Sequence, residues 1–308
     1  MHDPKSLILV LGMKRSGTSV LTKGLETMGV SLGNHFMPPN EFNKTGYWED
    51  RDFHELNFEM LKSCTSNRAR RILPLGEAEL DFLLSSPYVI RARELLLKKI
   101  PNHQPLALKV PTASLLIPFW KKICEQLGVA LNIIIALRNP ISVAISVERS
   151  FQDIQEKSFW IWIASLLSSL KYSEGHRRII VDYDALMKNP AHQMGRIAQV
   201  MDLPIDRKGL HEYTDHFIDP SLRHVCQEQE LYSNEELCFQ LAIQMYKELL
   251  KIAMDQMPWD ELKQPFERWF QKFSSIQGLL VILEMHEFTI AKLVDLYLEQ
   301  KNKQELIV

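Results

Sequence analysis

Near the start of the chain, two basic residues and three hydroxyls crowd a single glycine turn, Gly12-Met13-Lys14-Arg15-Ser16-Gly17-Thr18-Ser19. An apolar run, Leu7–Leu11, leads into it, and a helical pattern follows. That arrangement suits an oxyanion. Glycines let the backbone turn closely, successive N–H groups converge, and the helix N-terminus adds a favourable dipole. Lys14 and Arg15 supply charge, and Ser16, Thr18 and Ser19 supply hydroxyl donors. Gly12 and Gly17 have the spacing of the Gly-x4-Gly of a Walker A loop, but Thr18 stands where that loop requires lysine. An ordinary glycine-containing βα turn would look similar in outline, though packing alone does not call for so many basic and hydroxyl groups. A second cation, Arg138, ends another apolar run and precedes Asn139-Pro140, with Ser142 and Ser146 beyond. At the carboxyl end of a parallel strand it would face the crevice where such sheets bind ligands. Ser146 lies about two helical turns further on, so Arg138 and Ser146 can reach one phosphate from two sides. Alone, an arginine at a strand end is more often a surface ion pair than a ligand.

These side chains need a rigid frame, and the sequence contains one. Short apolar runs alternate with longer amphipathic stretches, the pattern of an α/β protein with a parallel sheet. The expected strands are Leu7–Leu11, Leu106–Val110, Leu131–Leu137 and Arg178–Tyr183, and the expected helices are Thr18–Met28, Ser114–Leu127, Ile141–Phe151 and Phe159–Ser173. Val20, Leu21, Leu25 and Met28 recur at helical spacing. Asn139 and Pro140 are a start signal, a cap followed by a proline in the first turn. From about Pro220 the strands cease, and Glu235–Met254 and Gln277–Gln300 read as helices joined through Met257–Pro265. We therefore expect a nucleotide-binding domain over 1–225 and a helical C-terminal extension over 226–308.

Composition narrows the function. With 308 residues, 36 basic against 38 acidic side chains and a formal charge of -2, the chain lacks the cationic excess of a general nucleic-acid binder. No apolar run approaches the roughly 20 residues of a membrane span. The apolar run at the N-terminus is too short for a signal peptide. Cys64, Cys124, Cys226 and Cys238 are scattered without metal-ligand spacing, so we expect reduced thiols, a cytoplasmic location and no metal site.

In order and spacing, three segments resemble the sulfotransferases that use 3′-phosphoadenosine 5′-phosphosulfate (PAPS). Lys14-Arg15-Ser16-Gly17-Thr18-Ser19 is similar to their 5′-phosphosulfate loop, and Arg138 with Ser146 to their 3′-phosphate motif. Ile179-Ile180-Val181-Asp182-Tyr183-Asp184-Ala185-Leu186, followed by Asn189-Pro190, looks like their Val-x-Tyr-Glu-x-Leu segment. The resemblance implies a P-loop NTPase-like three-layer fold and PAPS as co-substrate. It puts Lys14, Arg15, Ser16, Gly17, Thr18, Ser19, Arg138, Ser146 and Tyr183 on the nucleotide, Tyr183 near the adenine. Val20 stands where some relatives carry an adenine-stacking aromatic. Catalytic roles are implied for Arg15 at the bridging oxygen and for Lys109, which resembles a family lysine near the sulfonate. A solvated lysine at a strand end would read the same way.

Pro111 occupies the position of the histidine base of many cytosolic members, so that base does not carry over. Gly46-Tyr47-Trp48-Glu49 instead resembles a segment of bacterial and carbohydrate-type members whose carboxylate is the base. Glu49 is the candidate, with its pKa expected to rise by desolvation beside Tyr47 and Trp48; Asp50 and His54 are the runners-up. The expected acceptor is a hydroxyl, with a carbohydrate on a glycan or glycolipid favoured by this segment. Its walls are expected from Asn34–Thr45, Cys64–Pro87 and Phe217–Leu231, with Arg223 and His224 approaching the nucleotide or acceptor and Trp160, Trp162 and Tyr172 in the core. Two other classes fit parts of the pattern: a metal-dependent P-loop kinase or NTPase, and a noncatalytic nucleotide-binding protein that docks a partner.

Overall fold

A computed structural model describes residues 5–39, 46–64, 72–218 and 236–305. Four strands, β1 (Ser6–Leu11), β2 (Leu106–Leu108), β3 (Ala130–Leu137) and β4 (Arg177–Asp182), form a parallel sheet in the order β2-β1-β3-β4. β1, β2 and β3 are nearly unbroken apolar runs, and β4 has an apolar centre, Ile179–Val181, as expected when both faces of a parallel sheet are covered. Alternation does the sorting. Leu7, Leu9 and Leu11 enter one core, and Ile8 and Val10 enter the other.

On the first face lie α5 (Ala113–Leu127), α7 (Gln155–Ser173) and α11 (Leu237–Ala253). The second face is covered by α1 (Thr18–Gly24), continued by a 3-10 turn over Leu25–Met28, and by α9 (Pro190–Met201). The remaining helices are α2 (Arg51–Cys64), α3 (Glu77–Leu84), α4 (Tyr88–Lys99), α6 (Pro140–Phe151), α8 (Tyr183–Lys188), α10 (Arg207–Glu212) and α12 (Lys263–Glu305). All four expected strands are present within a residue or two. Strand β2 is shorter than expected because pairing with β1 stops at Leu108. The stretch Cys64–Pro87, expected to be an acceptor wall, contains α3.

The C-terminal region is helical as expected. Helix α11 is part of the main core, with Leu241, Met245 and Leu249 buried and Phe239 edge-on to Phe159. The expected domain boundary near 225 lies outside the described residues. Beyond α11 the chain forms one helix of 43 residues rather than a shorter one starting at Gln277, because Pro265 sits in its first turn, where proline is tolerated.

Asn139 accepts a hydrogen bond from the Ile141 N–H at 2.9 Å and caps α6, with Pro140 in the first turn. Asp182, at the end of β4, caps α8 through the Ala185 N–H at 2.9 Å and accepts from the Tyr246 hydroxyl at 3.4 Å. Burial pushes its carboxyl up to about 6, outweighing the Ala185 N–H that favours the charged form. An unfolded aspartate titrates near ~3.9. Between these values the folded state binds more protons, so this group's contribution to stability falls as pH rises from about 4 to about 6. The difference corresponds to about 3 kcal/mol. Asp182→Asn keeps an oxygen for the cap and is expected to lose that slope while remaining at least as stable at pH 7. Urea unfolding midpoints across pH 4 to 7 check this, and an unaltered slope would show that Asp182 is already ionised at the acid end.

Candidate functional site

Strand order reverses between β1 and β3, and the loops after both strands therefore open at the same carboxyl edge. Gly12, with φ of +146°, begins the first loop, and a Cβ there would fall 3.0 Å from the Ala136 carbonyl oxygen of β3. The loop can leave the sheet at that point only because residue 12 is glycine. The Ser16 N–H closes the turn on the Met13 carbonyl at 3.1 Å, and Arg15 takes a left-handed φ of 72°. Gly17 caps α1 with its own backbone in the left-handed region and no side-chain acceptor.

The two loops are cross-linked. Arg15 donates from Nε to the Ser146 hydroxyl at 2.9 Å, and Arg138 donates to the Arg15 carbonyl at 2.8 Å. Trp162, a core residue of α7, donates its indole N–H to the Arg138 carbonyl at 3.2 Å and fixes that backbone. The Arg138 guanidinium stacks 4.2 Å from the Tyr183 ring, whose edge lies so close to Gly17 that a Cβ there would come within 2.2 Å of it. Arg15, Arg138, Ser146, Gly17 and Tyr183 are thereby brought together. Burial pulls the Arg15 guanidinium below its ordinary value, opposed by Tyr47 and Tyr183, yet arginine keeps its charge in proteins. Lys14 takes a different direction, 3.4 Å from Asp153 and 4.1 Å from the centre of the Phe151 ring at the end of α6. Thr18 and Ser16 are buried in the turn, and the Ser19 hydroxyl donates to the Tyr47 carbonyl at 3.3 Å.

That last bond ties the segment Gly46-Tyr47-Trp48-Glu49 to the glycine loop. Gly46 and Trp48 both adopt left-handed φ values, 97° and 52°. Trp48 is held between Phe36 and Phe217 with the Lys23 ammonium 4.3 Å over its ring. The reversal turns Glu49 inward, where it is 4% exposed and accepts from the Lys109 ammonium at 2.5 Å. Lys109, also 4% exposed, is no solvated strand-end residue. His54 Nδ1 lies 3.5 Å from the other Glu49 oxygen.

Desolvation was expected to raise the Glu49 pKa, and burial is the largest influence on it. His54 and Lys109 together outweigh burial and hold the carboxyl below its ordinary range. Burial in turn draws the Lys109 ammonium below the usual lysine value against the pull of Glu49. Asp50 is committed elsewhere: it accepts from Lys99 at 2.8 Å, and Asp52 pairs with the same lysine at 2.5 Å. Lys99, at the end of α4, thus clamps the segment just after Glu49. No sequence spacing pointed to it, nor to Asp153.

Other expected contacts lie elsewhere. The depression bounded by Ser63, Phe82, Ser86 and Arg91 sits at the far end of α2, about 20 Å along that helix from Glu49. Arg223, His224, the residues 219–231 of the expected third wall and 40–45 of the first fall outside the described residues. Among the described residues, no group of three or more His, Cys, Asp or Glu side chains is placed to hold a metal ion, and no helix is long and apolar enough to cross a membrane.

The sulfotransferase domain family matches residues 5–272. The chain therefore belongs to that family. Among solved structures it is similar to the sulfotransferase domain of the Synechococcus PCC 7002 olefin synthase, at 15% identity and a TM-score of 0.50, over 80% of this chain and 96% of that one. The sulfotransferase domain of the curacin biosynthetic pathway aligns at 15% identity and 0.46, covering 80% and 99%. Sulfotransferase STF1 from Mycobacterium tuberculosis H37Rv aligns at 13% and 0.44, covering 73% and 75%. No curated protein matches the chain. At 15% identity the likeness to the olefin synthase domain speaks to the fold alone.

Removing the Lys109 charge tests the buried pair. In Lys109→Met the Glu49 carboxylate loses its nearest cation, a loss that costs about 3–5 kcal/mol when it strands a buried charge. A carboxyl held low in the folded state contributes stability above its unfolded value, and that contribution is lost as pH falls through the folded value. The deficit of Lys109→Met against the parent is therefore expected to be larger at pH 7 than at pH 5, where the stranded Glu49 takes up a proton. Urea unfolding at both pH values measures it, and equal deficits would show that Glu49 is not held ionised.

Proposed function

We propose that the protein transfers a sulfuryl group from 3′-phosphoadenosine 5′-phosphosulfate to an acceptor hydroxyl. The observation that carries this reading is the convergence of Arg15, Ser146, Arg138 and Tyr183 where the β1 and β3 loops meet. The donor chemistry fits that convergence: two guanidiniums, several hydroxyls and the backbone N–H groups of a glycine turn, all suited to anionic oxygens. Ser16, Gly17, Thr18 and Ser19 would receive the 5′-phosphosulfate in a P-loop-like manner, with Lys14 contributing charge from the rim. Arg138 and Ser146 would hold the 3′-phosphate. Tyr183 would border the adenosine, its ring already fixed between Gly17 and Arg138.

The chemistry follows as an in-line displacement at sulfur. Glu49, kept as a carboxylate by Lys109 and His54, accepts the proton of the acceptor hydroxyl. The acceptor oxygen forms its bond to sulfur as the bond from sulfur to the phosphate oxygen breaks. Adenosine 3′,5′-bisphosphate leaves with the added negative charge, which Arg15 and Lys109 would offset. Holding the reactants in line supplies much of the rate. A carbohydrate hydroxyl is the favoured acceptor, because Gly46-Tyr47-Trp48-Glu49 resembles the segment of carbohydrate-type members. The free thiols of Cys124 and Cys238 suit a reducing, cytoplasmic setting.

Calorimetric titration with adenosine 3′,5′-bisphosphate, alongside the nucleotide lacking the 3′-phosphate, tests the donor. Binding is expected to weaken sharply without the 3′-phosphate. Arg138→Ala should remove most of that preference, at least about tenfold for a charge-assisted pair. Equal affinity for both nucleotides would sink the donor assignment. Glu49→Gln should bind the bisphosphate as the parent does while losing transfer from labelled donor, by roughly 10²-fold or more for a lost general base. Unchanged turnover would move the proton acceptor to His54 or Asp50.

A further inference from the structure

Helix α12 is tied to the body along one side only. Glu284 accepts from the Ile72 and Leu73 N–H groups at 2.5 and 2.8 Å, and Glu287 pairs with Lys157, which is buried on α7. Trp269, Phe273 and Leu280 are buried on that same side of the helix. Next to it runs an apolar stripe that the body does not cover. Leu279, Leu283, Ile290, Leu293 and Tyr297 are between 39% and 69% exposed. With His286 they succeed one another at alternating steps of four and three residues.

That step is the heptad repeat of two helices wound about each other, with 279, 286 and 293 at one core position and 283, 290 and 297 at the other. A helix covered only by its own body has no use for a second run of 3-4 spacing beside the face that the body covers. A groove in an unrelated partner would impose no such repeat on this chain, whereas a second copy supplies the matching seam automatically. Flanked by Ile282 and Val294, the stripe amounts to on the order of 700 Å² per chain, so two copies would bury about 1,400 Å², within the range of a stable interface. A monomer rarely leaves an apolar patch of this size open.

We infer that the protein self-associates through a two-helix coiled coil formed by residues 279–297 of α12 from two chains. The seam lies beside the Glu284 and Glu287 anchors, so pairing leaves both attached to their own body.

Sedimentation analysis of the full chain from about 0.1 to 50 µM reads the result directly. The parent is expected at twice the chain mass. Leu293→Glu, in the part of the helix past its anchors, and Leu283→Glu should each raise the dissociation constant by at least about thirtyfold, the effect of one central apolar contact. Met285→Glu and Val281→Glu, off the seam, should leave the mass unchanged. Circular dichroism and thermal unfolding of each variant at a concentration where the parent is dissociated confirm that its body is folded; if Leu283→Glu fails there, Leu293→Glu alone decides. A parent that stays at the mass of one chain throughout would overturn the inference, whether or not it sediments with anionic vesicles. So would a dimer that survives both seam substitutions.

Discussion

Everything at the site depends on β1 and β3 lying side by side, parallel, at the place where strand order reverses. Their register runs from Ser6 against Ala130 to Leu11 against Ile135, and it delivers the two loops to one edge within hydrogen-bonding reach. Gly12 is the hinge of that arrangement: a side chain at that position would collide with β3 itself. Because the sheet is buried on both faces, its strands cannot slip without exchanging one core for the other. The Arg15–Ser146 and Arg138–Arg15 bonds are thus held by the hydrophobic packing of Leu7–Leu11 and Ile133–Leu137 more than by their own strength. In this sense the electrostatics of the site rest on an apolar constraint.

The Lys109–Glu49 pair has a different logic. Two ions taken out of water gain little net stability, and apolar residues of similar volume would commonly serve the fold as well. What the pair does secure is a carboxylate that stays ionised despite being buried. Lys109 sits just after β2, and Glu49 arrives from a segment bound to the glycine loop through Ser19 and clamped behind by Lys99. Strand, loop and helix end thereby converge on one carboxyl group. Electrostatic catalysis requires charge fixed before the reaction begins.

Much of the frame was legible in the sequence because fully buried parallel strands read as apolar runs, and Asn139-Pro140 is a cap with a mechanism. Short range was the limit. Helices α2, α3 and α4 were not anticipated: their apolar faces are shared among neighbours, and masked by charges such as those of Arg51–Glu55 and Arg91–Glu94. At the site, the glycine loop, Arg138 and Ser146 were visible because each belongs to a local strand-turn-helix unit. The contacts that define their roles were not. Arg15 meets Ser146 across 131 residues, Lys14 meets Asp153 across 139, and Lys109 meets Glu49 across 60. Separations of that kind leave no periodicity. The sign of the Glu49 shift was missed for the same reason: Tyr47 and Trp48 are its sequence neighbours, but Lys109 and His54 decide its charge.

Lys157 shows how the long last helix becomes part of the same molecule. A lysine buried on α7 is unfavourable unless paired, and its partner, Glu287, comes from α12, across 130 residues. Apolar contact is non-directional and by itself constrains a helix's position along its axis only weakly. The charge at Glu287 and the two backbone N–H groups on Glu284 do not permit that, because any shift strands a buried cation and two donors. Polar contacts therefore set the register of α12 on the body, and apolar ones supply its adhesion. Lys157 stands in the first turn of α7, the helix that carries Trp162 to the Arg138 carbonyl. The element that anchors the C-terminal helix is thus the element that steadies the second loop of the site, and mechanical continuity between the two regions runs through α7.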